Sequence, residues 1–157
     1  MKIGYISIAL SIILVNSIPP VVSHPPQPVY HINAISIWDA VVISESINHI
    51  PNGLLKALIL HESGGKTDAF NRNTDGSFDS GPAQLNSKCL NDFAKKYNNG
   101  LPINARSIDS ILIAGKILAD HYKKYGTWRK ALAHYNFGSK KYADMVFSEY
   151  LRVKGLE

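Results

Sequence analysis

The sequence predicts a mainly α-helical domain with one small hairpin or irregular loop after its second helix, and three observations predict it. Apolar residues recur at helical spacing through most of the chain beyond Ser36. Breakers punctuate these runs at Pro51, Gly64-Gly65, Asn98-Asn99-Gly100 and Gly138. Between the second and third runs, Asn71 to Asn86 is dominated by short polar side chains and contains Asp75-Gly76, a dipeptide that tolerates positive φ in tight turns.

The elements follow in order. A first helix is expected from Ser36 to Ile47, stopped before Pro51. The second starts near Asn52 and ends at Gly64-Gly65, with Leu55, Leu58, Ile59 and Glu62 on one stripe. After the loop, a short helix from Ser87 to Tyr97 ends at Asn98-Asn99-Gly100, with Pro102 beyond it. Ile108, Ile111, Leu112, Gly115, Leu118, Ala119 and Tyr122 mark a long central helix ending near Tyr125, in which Gly115 lets a neighbour approach closely. Hydroxyl caps open the last two helices, Thr127 to Phe137 and Ser139 to Leu151. Trp128, Tyr142, Val146 and Tyr150 read as core or cleft wall.

Residues 1–23 read as an export signal, with Lys2 as the positive start, Ile6 to Val15 as the apolar run and Val21-Val22-Ser23 before the cleavage point. The run is too short to span a membrane comfortably, although a retained anchor is the alternative. Residues 24–35, with Pro25-Pro26-Gln27-Pro28, form an extended leader, and residues 36–157 form the domain. Export to the periplasm is the expectation.

Of the 157 residues, 45% are hydrophobic and 18% charged, which excludes a disordered chain. The single Cys89 forms no internal disulfide and is expected to pack as a small apolar residue, with no positioned histidine near it in sequence to make it a nucleophile. His61-Glu62 begins like a zinc-protease helix, but Gly65 stands where the second histidine belongs, and no other histidine has ligand spacing. Neither metal nor cofactor is expected. Formal net charge is +5, and losing Lys2 leaves +4, with 16 basic against 12 acidic residues. A modest positive charge suits an anionic polymer. The pairs Lys95-Lys96, Lys123-Lys124 and Lys140-Lys141 are scattered near helix ends rather than gathered with aromatics, which argues against nucleic acid.

One carboxylate stands apart. Glu62 closes an apolar helix and leads straight into a glycine turn, so burial among Leu55, Leu58 and Ile59 should raise its pKa and suit it to donate a proton near neutral pH. An ordinary exposed glutamate beside a glycine C-cap is the alternative.

The order Glu62-Ser63, then Gly81-x-x-Gln84-Leu85-Asn86, then Ala133-x-Tyr135-Asn136-x-Gly138 resembles the catalytic domain of soluble lytic transglycosylases, from about Trp38 to Glu149. The pattern Asn71-x-Asn73-x-x-Gly76-Ser77-x-Asp79-x-Gly81 is most similar to small single-domain members that accompany secretion, pilus and conjugation machines. Members often carry Gly-Leu-Met-Gln-Ile where this chain has Gly81-Pro82-Ala83-Gln84-Leu85, a serine where it has Asn71, and alanine where it has His134. The resemblance implies a goose-lysozyme-like (α+β) fold and peptidoglycan as partner; a monomer is expected.

It also implies the chemistry. Glu62 protonates the oxygen between N-acetylmuramic acid and N-acetylglucosamine, the substrate's acetamido oxygen supports the developing positive charge, and deprotonated Glu62 then takes a proton from the C6 hydroxyl, which closes a 1,6-anhydro ring. By the same resemblance Ser63 and Asn71 orient Glu62 or the muramyl ring, Gln84 holds acetamido or hydroxyl groups, Tyr135 bonds the Glu62 carboxyl and Asn136 braces its loop. Asp79 either clamps the hairpin through backbone amides or acts as a second carboxylate activating water. The competing functions are a hydrolytic muramidase and a non-catalytic wall-binding assembly factor.

Overall fold

A computed structural model describes residues 35–100, 103–105 and 108–156; the expected export signal and nearly all of the leader lie outside them. The described elements run α1 (Ile37–Ile47), α2 (Leu54–Ser63), β1 (Phe70–Arg72), β2 (Phe78–Ser80), β3 (Leu85–Asn86), α3 (Ser87–Tyr97), α4 (Ile108–Tyr125), α5 (Trp128–Tyr135) and α6 (Lys140–Val153). This is the mostly helical, lysozyme-like arrangement expected, and the loop segment is a three-stranded antiparallel sheet in the order β1-β2-β3. The third strand is an addition to the expected hairpin.

Helix α1 begins with a capping box, in which the Asp39 N–H donates to the Ser36 hydroxyl at 3.1 Å while the Ser36 N–H donates to the Asp39 carboxylate at 3.0 Å. Helix α2 starts differently. Its N-cap is Gly53, which offers no side-chain acceptor. Glu45 of α1 supplies one: its carboxylate accepts from the N–H groups of Gly53 at 2.9 Å, Leu55 at 2.9 Å and Lys56 at 3.1 Å. The charge lies at the positive end of the helix dipole, and it satisfies amides that have no partner within the helix.

The core gathers around α2, where Leu55, Leu58 and Ile59 are fully buried, as their spacing predicts. Helix α2 packs on α6, α5 bridges α4 and α6, and α1 lies against α4. A Cβ on Gly115 of α4 would sit 2.0 Å from the Ser44 hydroxyl of α1, so the close approach inferred for this glycine is realised. Ser44 also donates to the Ile111 carbonyl at 3.3 Å, which links α1 to α4. The buried stripe of α4 is shifted from the one its sequence suggests. It holds Ser110, Ile111, Ile113, Ala114, Gly115 and Leu118, whereas Tyr122 is exposed and stacks on Trp128 with ring centroids 4.1 Å apart.

The sheet pairs Asn71 with Asp79 and Asp79 with Asn86. Its first turn closes as Asp75 accepts the Ser77 N–H at 3.0 Å, with Gly76 at φ +79 as Asp75-Gly76 predicts. Lys88 of α3 pairs with Asp75 at 2.6 Å.

Candidate active site

Glu62 occupies the last turn of α2, one residue before Ser63 and two before Gly64, which caps the helix at φ +66. Its side chain is half-buried and lines a cavity of about 380 Å³ between the sheet and the helices α3, α4 and α5. Burial pushes its pKa up from 4.5 to about 7; the Tyr142 hydroxyl, which donates to Oε1, pulls the other way, and the charge of Asp79 adds to the rise. The helix C-terminus, with its partial negative charge, also disfavours an ionised carboxyl. Among the described residues Tyr142 is the one hydrogen-bond partner of the Glu62 carboxyl.

That contact corrects the sequence reading. Tyr135 was expected to bond the Glu62 carboxyl, but its hydroxyl donates to the Ala83 carbonyl at 3.0 Å while the ring lines the cavity. Tyr142 approaches because α6 packs along α2, a pairing of elements that lie 80 residues apart in the chain. It belongs to the core stripe Tyr142, Ala143 and Val146, and a buried tyrosine seeks a partner for its polar tip. Burial, and then the Glu62 charge, push the Tyr142 pKa far above its ordinary value, so it remains a proton donor in the hydrogen bond.

Asn71, Gln84, Asn136 and Asp79 all line the same cavity as Glu62. Asn71 donates to the Asn73 side chain at 3.1 Å. Gln84 takes φ +45, and both its backbone N–H, at 3.1 Å, and its side-chain amide, at 2.9 Å, donate to the Gly81 carbonyl. Asn136 is the C-cap of α5. Asp79 does clamp the hairpin, but through side-chain amides instead of backbone ones: Asn86 donates to Oδ1 at 2.8 Å and Asn73 to Oδ2 at 3.1 Å.

Ser63 does not reach Glu62. Its hydroxyl donates to the Pro82 carbonyl at 2.8 Å and accepts from the Gly65 N–H at 3.1 Å, so it fastens the end of α2 to the turn before β3. Ala83 is fully buried and does not line the cavity. Cys89, expected to pack as a small apolar side chain, is instead exposed on the cavity wall. Although the residue is exposed overall, its sulfur is partly buried, and that burial together with the nearby Asp92 raises its pKa, the opposite of what an activated thiolate needs. His134 also reaches the cavity, with its ring stacked on Tyr125 at 3.7 Å.

A helix-end carboxyl half-buried in a groove between a small antiparallel sheet and a helical body is the layout of the lysozyme-like class. Residues 40–151 match the family described as "Transglycosylase SLT domain", and the chain belongs to that family. Protein IpgF of Shigella flexneri is 33% identical over 134 residues, covering 78% of this chain and 84% of the relative. Invasion protein IagB of Salmonella typhimurium (strain SL1344) is 29% identical over 126 residues, covering 75% of this chain and 79% of the relative. Protein IpgF of Shigella sonnei is 34% identical over 127 residues, covering 74% and 80% respectively.

Proposed function

We propose that this chain is a peptidoglycan lytic transglycosylase that breaks the β-1,4 bond between N-acetylmuramic acid and N-acetylglucosamine and leaves a 1,6-anhydro ring on the muramyl sugar. The observation that carries the reading is Glu62, a carboxyl with a pKa raised to about 7 in a cavity lined by amides. Half of such a group is protonated near neutral pH, which suits it to both halves of an acid and base cycle.

The steps balance with one carboxyl. Glu62 gives its proton to the bridging oxygen as the bond from C1 to that oxygen breaks, and the acetamido oxygen of the same sugar supports the charge at C1. The Glu62 carboxylate then takes the proton of the C6 hydroxyl while O6 bonds to C1, which restores the acid without consuming water. Tyr142 occupies Oε1 and keeps its own proton, so Oε2 is the oxygen left for the transfer. Asp79 favours the protonated starting state of Glu62 by its charge. Asn71, Gln84 and Asn136 supply amides for hydroxyl and acetamido groups, while Ser63 holds the frame.

Mass spectrometry of digested peptidoglycan tests the reading: anhydro-muropeptides are expected, and reducing ends alone would mean a water-using muramidase. The presence of Asp79 on the same cavity wall favours that second reading, although both its oxygens already accept amide bonds. If Glu62→Gln protein clears cell walls as well as the parent, the acid lies elsewhere and the groove serves a wall-binding assembly factor. The apolar run after Lys2 supports an exported, periplasmic enzyme, and the similarity of the Asn71 to Gly81 pattern to small members that accompany secretion, pilus and conjugation machines supports local opening of the wall for such a machine.

A further inference from the structure

We infer that Phe137 is a sugar-stacking platform of the cleft, taking the apolar face of a pyranose ring in the glycan strand held beside Glu62. This inference rests on the glycan-cleaving reading and adds a specificity-determining residue to it. Phe137 lines the same cavity as Glu62 and is 94% exposed, more than any other large hydrophobic side chain among the described residues. Such a ring contributes nothing to the core.

The backbone beneath it makes the placement costly. Helix α5 ends with the Gly138 N–H donating to the Ala133 carbonyl at 2.8 Å, the long bond of a Schellman ending, which puts Phe137 at the position just past the C-cap. That position is left-handed, with φ +48 at Phe137, and glycine is its usual occupant because a Cβ is disfavoured there. This chain has its glycine one residue later, at Gly138. A side chain that strains the backbone and buries nothing brings the fold no gain, and strain of this kind concentrates at functional sites.

The surroundings fit a sugar. A pyranose presents C–H bonds on its face and hydroxyl or acetamido groups at its rim. Phe137 offers a flat apolar ring for the face, and the adjoining Asn136, on the same cavity wall, offers an amide for the rim. The His134 ring, held parallel against Tyr125, continues the wall one step back along α5.

The test reads binding in a protein that does not cleave. Glu62→Gln protein is titrated by calorimetry with a GlcNAc-MurNAc tetrasaccharide, with and without Phe137→Ala, Phe137→Trp and Phe137→Gly. Affinity is expected to fall roughly five- to tenfold in the alanine and glycine variants and to return with tryptophan. The glycine variant is also expected to melt about 3 °C higher, since it relieves the left-handed strain. Equal affinity with and without the ring overturns the inference, as does weaker binding by a glycine variant that melts lower, which would make the ring part of the fold. An active parent whose affinity ignores Phe137 sinks the platform alone. A parent that binds the tetrasaccharide through Phe137 but releases no products sinks the cleavage reading alone.

Discussion

The two ends of α2 each hold a glutamate, and the pair shows how the same side chain is made inert or reactive by what surrounds it. Glu45, 5% exposed, sits at the N-terminal end and accepts three backbone N–H bonds. Glu62, at the C-terminal end, has one tyrosine hydroxyl and a polar cavity. At the first end three backbone N–H groups already fill the carboxylate's acceptor sites; at the second, burial, the helix dipole and Asp79 oppose the charged form of Glu62. Burial by itself therefore does not mark the acid. The deciding difference is how many donors the carboxyl has already spent.

Glu62→Gln is the largest expected break in that contrast. It should lower the rate of muropeptide release by roughly a hundredfold to ten-thousandfold, measured on purified wall. The same change should stabilise the fold above neutral pH. Below pH 4.5 the acid is protonated in both folded and unfolded chains; between 4.5 and about 7 only the unfolded chain ionises, so stability falls as pH rises. Urea unfolding at pH 8 should accordingly favour Glu62→Gln by roughly 2–3 kcal/mol, with little difference at pH 4.

Glu45→Ala should act in the opposite sense, costing about 3 kcal/mol in urea unfolding because several amides at the start of α2 lose a charged acceptor. Tyr142→Phe is a smaller change, about 1 kcal/mol in stability. Removing this donor takes away the contact that favours ionised Glu62, so the descending limb of kcat/KM against pH should move to higher pH. Asp79→Asn should move that limb slightly the other way, because the like charge that favours protonated Glu62 is gone. Opposite shifts in these two variants would assign the limb to Glu62, and shifts of one sign would assign it to another group.

The helices were legible because their signals are local. Thr127 and Ser139 cap the helices expected of them, and Leu55, Leu58 and Ile59 are buried as their spacing requires. Glu62 was legible too, since its neighbours in sequence are its neighbours in space. What escaped depends on helix packing. The Tyr142 contact requires α6 to lie along α2, and the Glu45 cap requires α1 to fold back on the start of α2, neither of which a periodicity encodes. Tyr135 was assigned the wrong acceptor by the same gap, for its hydroxyl reaches the turn before β3. Cys89 was misplaced because its helix turns one side toward an open groove rather than another element.

Consecutive carbonyls of that turn each meet a different donor: Gly81 takes Gln84, Pro82 takes Ser63 from α2, and Ala83 takes Tyr135. Peptide oxygens survive any substitution made at their own residues. The joint between sheet and helical body thus hangs on the backbone of the turn, while the side chains of Pro82 and Ala83 are packed into the core behind it.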